Sequence, residues 1–382
     1  MAFNRNIDLF CRVVDNFGDI GVCWRLSRQL VNDYALKVTL WVDDLTSFHK
    51  ICAGIDPLLE WQQMQGVTIR HWREISPPKQ PESVADVVIE AFGCQLPASY
   101  IAAMAACEPR PVWINLEYLS AEPWVEGCHE MQSLYPSLPL VKYFFFPGFS
   151  DKTGGLLMER DVSVRRTAFQ NDPQAVAGFL ENIGVRPLAG ACMVSLFCYP
   201  SAPVETFFDA WQADTLPVLC LVPQGVATDA VSAFLRMPAT VGAAATRGGL
   251  TVQVVPFLDQ PDYDKLLWSC ELNFVRGEDS LVRAQWAGRP FIWQIYPQQE
   301  DAHRIKLDAL LDRHTAGMPN DLAPLVSATW QAWNGSALQA PQWPRLRSLL
   351  PQWTSHMAGW TRELQRNGDL ASNLVQFIKK IG

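Results

Sequence analysis

Apolar residues fall into short runs separated by helix-length stretches of mixed polarity. In the first half, strand-like runs occur at 7–14, 37–42, 86–92 and 112–117; a second series follows at 191–197, 217–222, 250–255, 272–275 and 290–294. After the first run a Gly-containing turn leads into 19–31, where Val22, Leu26 and Leu30 recur every fourth residue while Arg25, Arg28 and Gln29 take other positions. That spacing predicts an amphipathic helix. Strands alternating with helices predict an α/β fold with a parallel sheet covered on both faces.

Two such series make two Rossmann-like domains, as expected for 382 residues, beyond the size at which one hydrophobic core usually stops growing. Between 147 and 190 the pattern loosens into sequence rich in Gly, Pro and charge. The expected division is a domain at 1–155, a linker region at 156–190, a second domain at 191–350 and a helical tail at 351–382. In the tail, Trp360, Leu364, Leu370, Leu374 and Phe377 form an apolar face.

Composition narrows the function classes. A formal charge of −8 argues against a nucleic-acid binder, which needs a concentrated basic surface. The longest apolar runs, such as 143–146, are far shorter than the ~20 residues of a spanning helix. The first residues carry no signal-peptide pattern, so a soluble, cytoplasmic protein is expected. The ten cysteines are scattered and suit buried thiols; no Cys-x-x-Cys or His-x-x-x-His pair suggests a metal centre. Most of the 15 tryptophans are expected in the cores.

Two loops carry candidate chemistry. In Arg276-Gly277-Glu278-Asp279-Ser280 a buried strand enters a Gly turn, and Asp279 or Ser280 is placed to cap the next helix. First-turn amides and the helix dipole make such a terminus a phosphate site. On this reading Ser280 contacts phosphate, Asp279 shapes the cap and Glu278 accepts hydrogen bonds from sugar hydroxyls; an ordinary capped helix is the competing account. Phe257 and Gln260 follow another strand of the same series, suited to stacking on a base and reading its edge. Phe197 and Tyr199, which end the first strand of that domain, and Tyr296, which ends its last, are further candidates for donor nucleotide-sugar binding. In the first domain, the loop after the opening strand delivers Asp15 and Asp19 in Asp15-Asn16-Phe17-Gly18-Asp19-Ile20-Gly21, which is not a dinucleotide fingerprint and disfavours NAD.

Taken together, the 15–21 segment, Asn115-Leu116-Glu117-Tyr118-Leu119-Ser120-Ala121-Glu122, Phe144-Phe145-Phe146-Pro147-Gly148-Phe149, Thr153-Gly154-Gly155-Leu156-Leu157 and the 276–280 segment resemble the EarP family, bacterial protein-arginine rhamnosyltransferases that modify elongation factor P. The likeness runs through essentially the whole chain in order. It implies a glycosyltransferase-B fold with two domains facing a cleft, and a tail that packs back on the first domain. The implied reaction takes dTDP-β-L-rhamnose as donor and an arginine of elongation factor P as acceptor, inverting the anomeric carbon without a metal or other cofactor, in support of polyproline translation. Asp19 takes the general-base role, Asp15 is its neighbouring carboxylate and Glu278 is essential; Phe257, Gln260, Asp279, Ser280 and Tyr296 join the donor site. Glu117 and Tyr118 are candidates on the acceptor side. A sugar-nucleotide epimerase and a non-catalytic partner of the translation machinery remain as alternative readings.

Overall fold

The computed structural model describes residues 5–15, 17–72, 84–297, 302–335 and 342–382. Asn16, and the amino-terminal residues read for a signal peptide, lie outside them, Arg5 and Asn6 excepted. The chain forms two compact units, Met1–Arg160 with Glu363–Gly382, and Asp161–Arg362.

The first unit contains β1 (Asn6–Cys11), α1 (Gly18–Tyr34), β2 (Lys37–Val42), α2 (Leu45–Ile51), β3 (Trp61–Met64), β4 (Val67–His71) and β5 (Val87–Ala91). It continues through α3 (Ala98–Ala106), β6 (Val112–Leu116), α4 (Val125–Cys128), β7 (Gln132–Leu134) and β8 (Val141–Phe145). The sheet order is β3-β4-β2-β1-β5-β6-β8-β7, parallel except for the edge strands β3 and β7. The edge strands β3 and β7 were not legible as strands, because they are short, largely exposed and lack an apolar run. The first strand ends at Cys11 rather than Val14, since the Val13 amide goes to Asp43 Oδ1 (2.8 Å) and the Val14 amide to Asp19 Oδ2 (2.8 Å) instead of a neighbouring strand.

The second unit opens with α5 (Val162–Gln170) and α6 (Pro173–Asn182), then β9 (Cys192–Leu196), α7 (Val204–Gln212), β10 (Val218–Pro223), α8 (Thr228–Leu235), β11 (Ala244–Arg247) and β12 (Leu250–Val255). It goes on through α9 (Gln260–Ser269), β13 (Leu272–Arg276), α10 (Asp279–Ala287), β14 (Phe291–Gln294), α11 (Ala302–Thr315), α12 (Ala323–Trp333) and α13 (Trp343–Ser348). Its sheet runs β11-β12-β10-β9-β13-β14, with only β11 antiparallel. Residues read as part of a linker, 162–182, are helices of this unit. Val176, Phe179, Leu180 and Ile183 have helical spacing, and the last three join Leu219, Leu221, Val255 and Leu266 in one core.

Tail residues form two helices, α14 (Leu350–Arg366) and α15 (Leu370–Ile381). The break falls at Gly368, whose φ of +75° suits glycine, and Asp369 then caps α15 by accepting from the Ser372 amide at 3.0 Å. Helix α15 lies in the first unit, and the 153–157 motif accounts for its seat. Leu370 N donates to Leu156 O at 3.0 Å, and Asn373 Nδ2 to Gly154 O at 3.1 Å. Gly155 has φ +73°, and a Cβ there would stand 2.6 Å from Gly368 O.

Among the described residues no helix is long and apolar enough to cross a membrane. Eight tryptophans are among the largest fully buried side chains, including Trp24 and Trp113 in the first unit and Trp286, Trp330 and Trp353 in the second.

The most consequential buried contact is polar. Arg283 of α10 meets Asp264 of α9 in a two-pronged pair, Nε–Oδ1 2.9 Å and Nη2–Oδ2 2.6 Å, with side chains 1% and 2% exposed. Removing one partner strands a buried charge, so Arg283→Ala is expected to lower unfolding free energy by about 3–5 kcal/mol. A double Asp264→Leu, Arg283→Met variant should recover most of that loss in denaturant titrations; a loss below about 1 kcal/mol for the single variant would show the pair to be dispensable.

Candidate active site

Both sheets reverse strand order at one place, where loops leave the carboxyl ends of adjacent strands in opposite directions and leave room for ligands. In the first unit this lies between β1 and β5; in the second, between β9 and β13. The predicted site residues gather at these ends.

In the first unit, the loop after β1 is organised by Asp19. Its carboxylate is buried, 2% exposed, and Oδ2 accepts from the amides of both Val14 and Asp15 at 2.8 Å. It therefore does not cap its own helix, whose N-cap is Phe17. Burial raises its pKa above the usual carboxylate value; nearby Asp15 adds to the rise, while the two amides and a hydrogen bond from the Tyr118 side chain oppose it. Asp15 in turn fixes Gly18: its carbonyl accepts the Gly18 amide at 2.6 Å, and its Oδ2 would lie 2.6 Å from a Cβ at that position. A side chain at Gly18 would displace the Asp15 carboxylate.

Tyr118, half exposed, stacks on Phe92 at 4.5 Å and 15° at the ends of β5 and β6. Glu117 beside it accepts from Asn115 Nδ2, and its pKa is raised by burial first and then by Glu90. Glu90 is itself held by Lys142 Nζ at 2.8 Å, and that ammonium lies over the Trp113 ring. The structure thus brings Asp15, Asp19 and Tyr118 together, with Glu117 next along the same strand end.

In the second unit the 276–280 segment turns at Gly277, φ +59°, a left-handed position. The turn is held by Gly277 N to Gln294 O at 3.2 Å and Trp293 Nε1 to Gly277 O at 2.8 Å. Glu278 is the N-cap of α10 and makes no side-chain cap hydrogen bond, so the expectation that Asp279 or Ser280 caps this helix does not hold. The reason is local. Ser280 Oγ bonds the backbone of Arg276, accepting from its amide at 3.1 Å and donating to its carbonyl, and Asp279 Oδ2 accepts from Gln260 Nε2 at 3.3 Å. Gln260, 5% exposed, is thereby tied to Asp279.

Around this turn lies an aromatic group. The Arg276 guanidinium sits over Phe197 at 4.6 Å and Tyr199 at 4.5 Å; Phe197 neighbours Phe257 (6.3 Å) and Tyr263 (5.6 Å), and Tyr199 neighbours Tyr296 (5.4 Å). Tyr296 is the most exposed, at 41%. Glu278 points elsewhere, to Lys306 Nζ of α11 at 3.0 Å. Sequence reading missed the Arg276 side chain as an organiser, as well as Tyr263, Lys306 and the Asp264–Arg283 pair. Tyr263 had a signal, lying one helical turn beyond Gln260 on α9. Lys306 had none, being 28 residues from its partner.

With ionised Asp19 buried in the folded state only, its raised pKa costs stability as pH rises from the unfolded value to the folded one. The sign is that of an acid with raised pKa: the contribution is favourable below the unfolded value, about 3.9, and is lost as pH rises through the folded one. Asp19→Asn keeps an oxygen for the two amides, so at pH 7 it should melt at or above the wild-type temperature, with the gap closing as pH falls toward 4. Calorimetric melting across pH checks this, and a strongly destabilised Asn variant at pH 7 would contradict it.

The family described as Elongation-Factor P (EF-P) rhamnosyltransferase EarP matches residues 7–379. A protein-arginine rhamnosyltransferase of Pseudomonas putida is 48% identical over 373 residues, covering 97% of this chain and 98% of that one. A solved structure concerning EarP-mediated arginine glycosylation of translation elongation factor EF-P superposes with a TM-score of 0.70 at 34% identity, over 99% of this chain and 100% of that one. A Rickettsia africae glycosyltransferase, 9% identical, superposes with a TM-score of 0.54 over 99% of each chain and shares the fold alone. The two-sheet α/β fold is that of glycosyltransferase-B enzymes, and the chain belongs to the EarP family of protein-arginine rhamnosyltransferases.

Proposed function

We propose that this enzyme moves L-rhamnose from dTDP-β-L-rhamnose to an arginine of elongation factor P, with inversion and without a metal, in the cytoplasm. The observation that best supports the reading is the pairing of full-length family likeness with a buried Asp19 whose basicity is raised in the first-unit loop.

Arginine is difficult to activate. Its guanidinium holds its proton to a pKa above ~12, whereas an ordinary Asp titrates near ~3.9, so removing the proton beforehand is uphill by many units even for a buried Asp19. Carboxylates are suited to a different task. Asp15 and Asp19 would hold the guanidinium and aim one nitrogen at the anomeric carbon, with Glu117 and Tyr118 beside them. As the C–N bond forms and the bond from sugar carbon to phosphate oxygen breaks, the nitrogen becomes acidic and its proton passes to Asp19.

The departing dTDP takes the electron pair of the broken bond. On this proposal its diphosphate lies at the amino end of α10, where first-turn amides including that of Ser280 meet the growing charge. The Ser280 hydroxyl then serves chiefly to shape the turn through Arg276. Phe197, Tyr199, Phe257 and Tyr296 offer ring surface to the base and sugar, and Gln260 acts by orienting Asp279.

Incubating the enzyme with dTDP-rhamnose and elongation factor P should add one deoxyhexose to an arginine, located by peptide mass spectrometry, and Asp19→Asn should give none. Sugar on another residue type, or a new sugar nucleotide made without acceptor, would overturn the proposal, the latter in favour of an epimerase.

A further inference from the structure

The amino end of α10 carries an electrostatic problem that the donor reading must meet. Glu278 and Asp279 stand at the helix end where a diphosphate would lie, and their carboxylates repel an anion there even as the helix dipole attracts it. Asp279 accepts from the amide of Gln260. Glu278 is met by a full opposite charge: Lys306 Nζ stands 3.0 Å from its Oε1, with the two side chains 19% and 16% exposed. The partners come from different elements, the turn after β13 and helix α11, so the contact is not a consequence of local sequence.

We propose that Lys306 is a positioning residue for donor binding: it neutralises Glu278 and holds its carboxylate away from the diphosphate, so that the amide-rich end of α10 accepts an anion. The inference rests on the donor-site reading above. At this depth a carboxylate left without its partner is poorly screened by water, and its repulsion of a multiply charged diphosphate is correspondingly large. A lysine acting through Glu278 differs in a testable way from one that touches phosphate. The first becomes superfluous when Glu278 loses its charge; the second does not.

Titration calorimetry with dTDP, which lacks the sugar that Glu278 was first expected to bind, separates the two. Lys306→Met should weaken dTDP binding about tenfold while Lys306→Arg stays near wild type. Glu278→Gln alone and the double Glu278→Gln, Lys306→Met variant should bind alike, and the double should bind more tightly than Lys306→Met. Unchanged affinity in Lys306→Met, or a double variant clearly weaker than Glu278→Gln, overturns the inference. The comparison of Glu278→Gln with the double variant leaves no carboxylate at position 278 and decides the matter even if Lys306→Met fails to fold. A wild-type protein that does not bind dTDP removes the donor-site reading itself, and this inference with it.

Discussion

The buried pair between Arg283 and Asp264 is the constraint on which the proposed donor site in the second unit depends. Asp264 lies four residues along α9 from Gln260, and Arg283 three along α10 from Ser280, so the pair clamps the two helices one turn below the ends that carry the site. Helices packed only by apolar side chains can slide or rotate at modest cost, whereas a two-pronged guanidinium–carboxylate contact has one geometry. With the axes fixed, the Gln260–Asp279 hydrogen bond and the Ser280–Arg276 turn fall into register, and Arg276 is left over the Phe197 and Tyr199 rings. Such a pair adds little net stability over a hydrophobic replacement. Its value is in specifying an arrangement.

The first unit solves a different problem by similar means. A loop of few residues must hold two carboxylates close together, and it does so by giving each a backbone task. Asp19 gathers the Val14 and Asp15 amides, and Asp15 closes on Gly18. The amides lower the cost of burying Asp19 without abolishing it, leaving a carboxylate more basic than usual and already oriented. Fixed groups of this kind need little rearrangement as charge develops in a reaction.

Much of this was legible from residue order. The strand series, helix α1 and the loops after β1 and β13 follow from apolar runs, four-residue spacing and glycine turns. The 162–182 helices were read as linker because charges and Gly-Pro sequence masked a regular spacing of Val176, Phe179, Leu180 and Ile183. What stayed hidden were contacts between elements distant in sequence: Asp264 with Arg283, Glu278 with Lys306, Tyr118 with Asp19. Polar residues in an apolar helical run, as Arg283 and Gln285 are in α10, signal a buried partner but not its identity. The capping expectation at Asp279 and Ser280 failed for a similar reason, because both side chains had better acceptors or donors nearby. Helix-cap rules rank local options, and tertiary partners outbid them.

The central claim is a division of labour, with donor binding in the second unit and acceptor chemistry at Asp19 in the first. The most direct test is calorimetric binding of dTDP to Asp19→Asn beside Gln260→Ala. Wild-type affinity for the Asp19 variant and a clear weakening for the Gln260 variant are the expected results. Loss of dTDP binding in Asp19→Asn, with Gln260→Ala unaffected, would contradict the account.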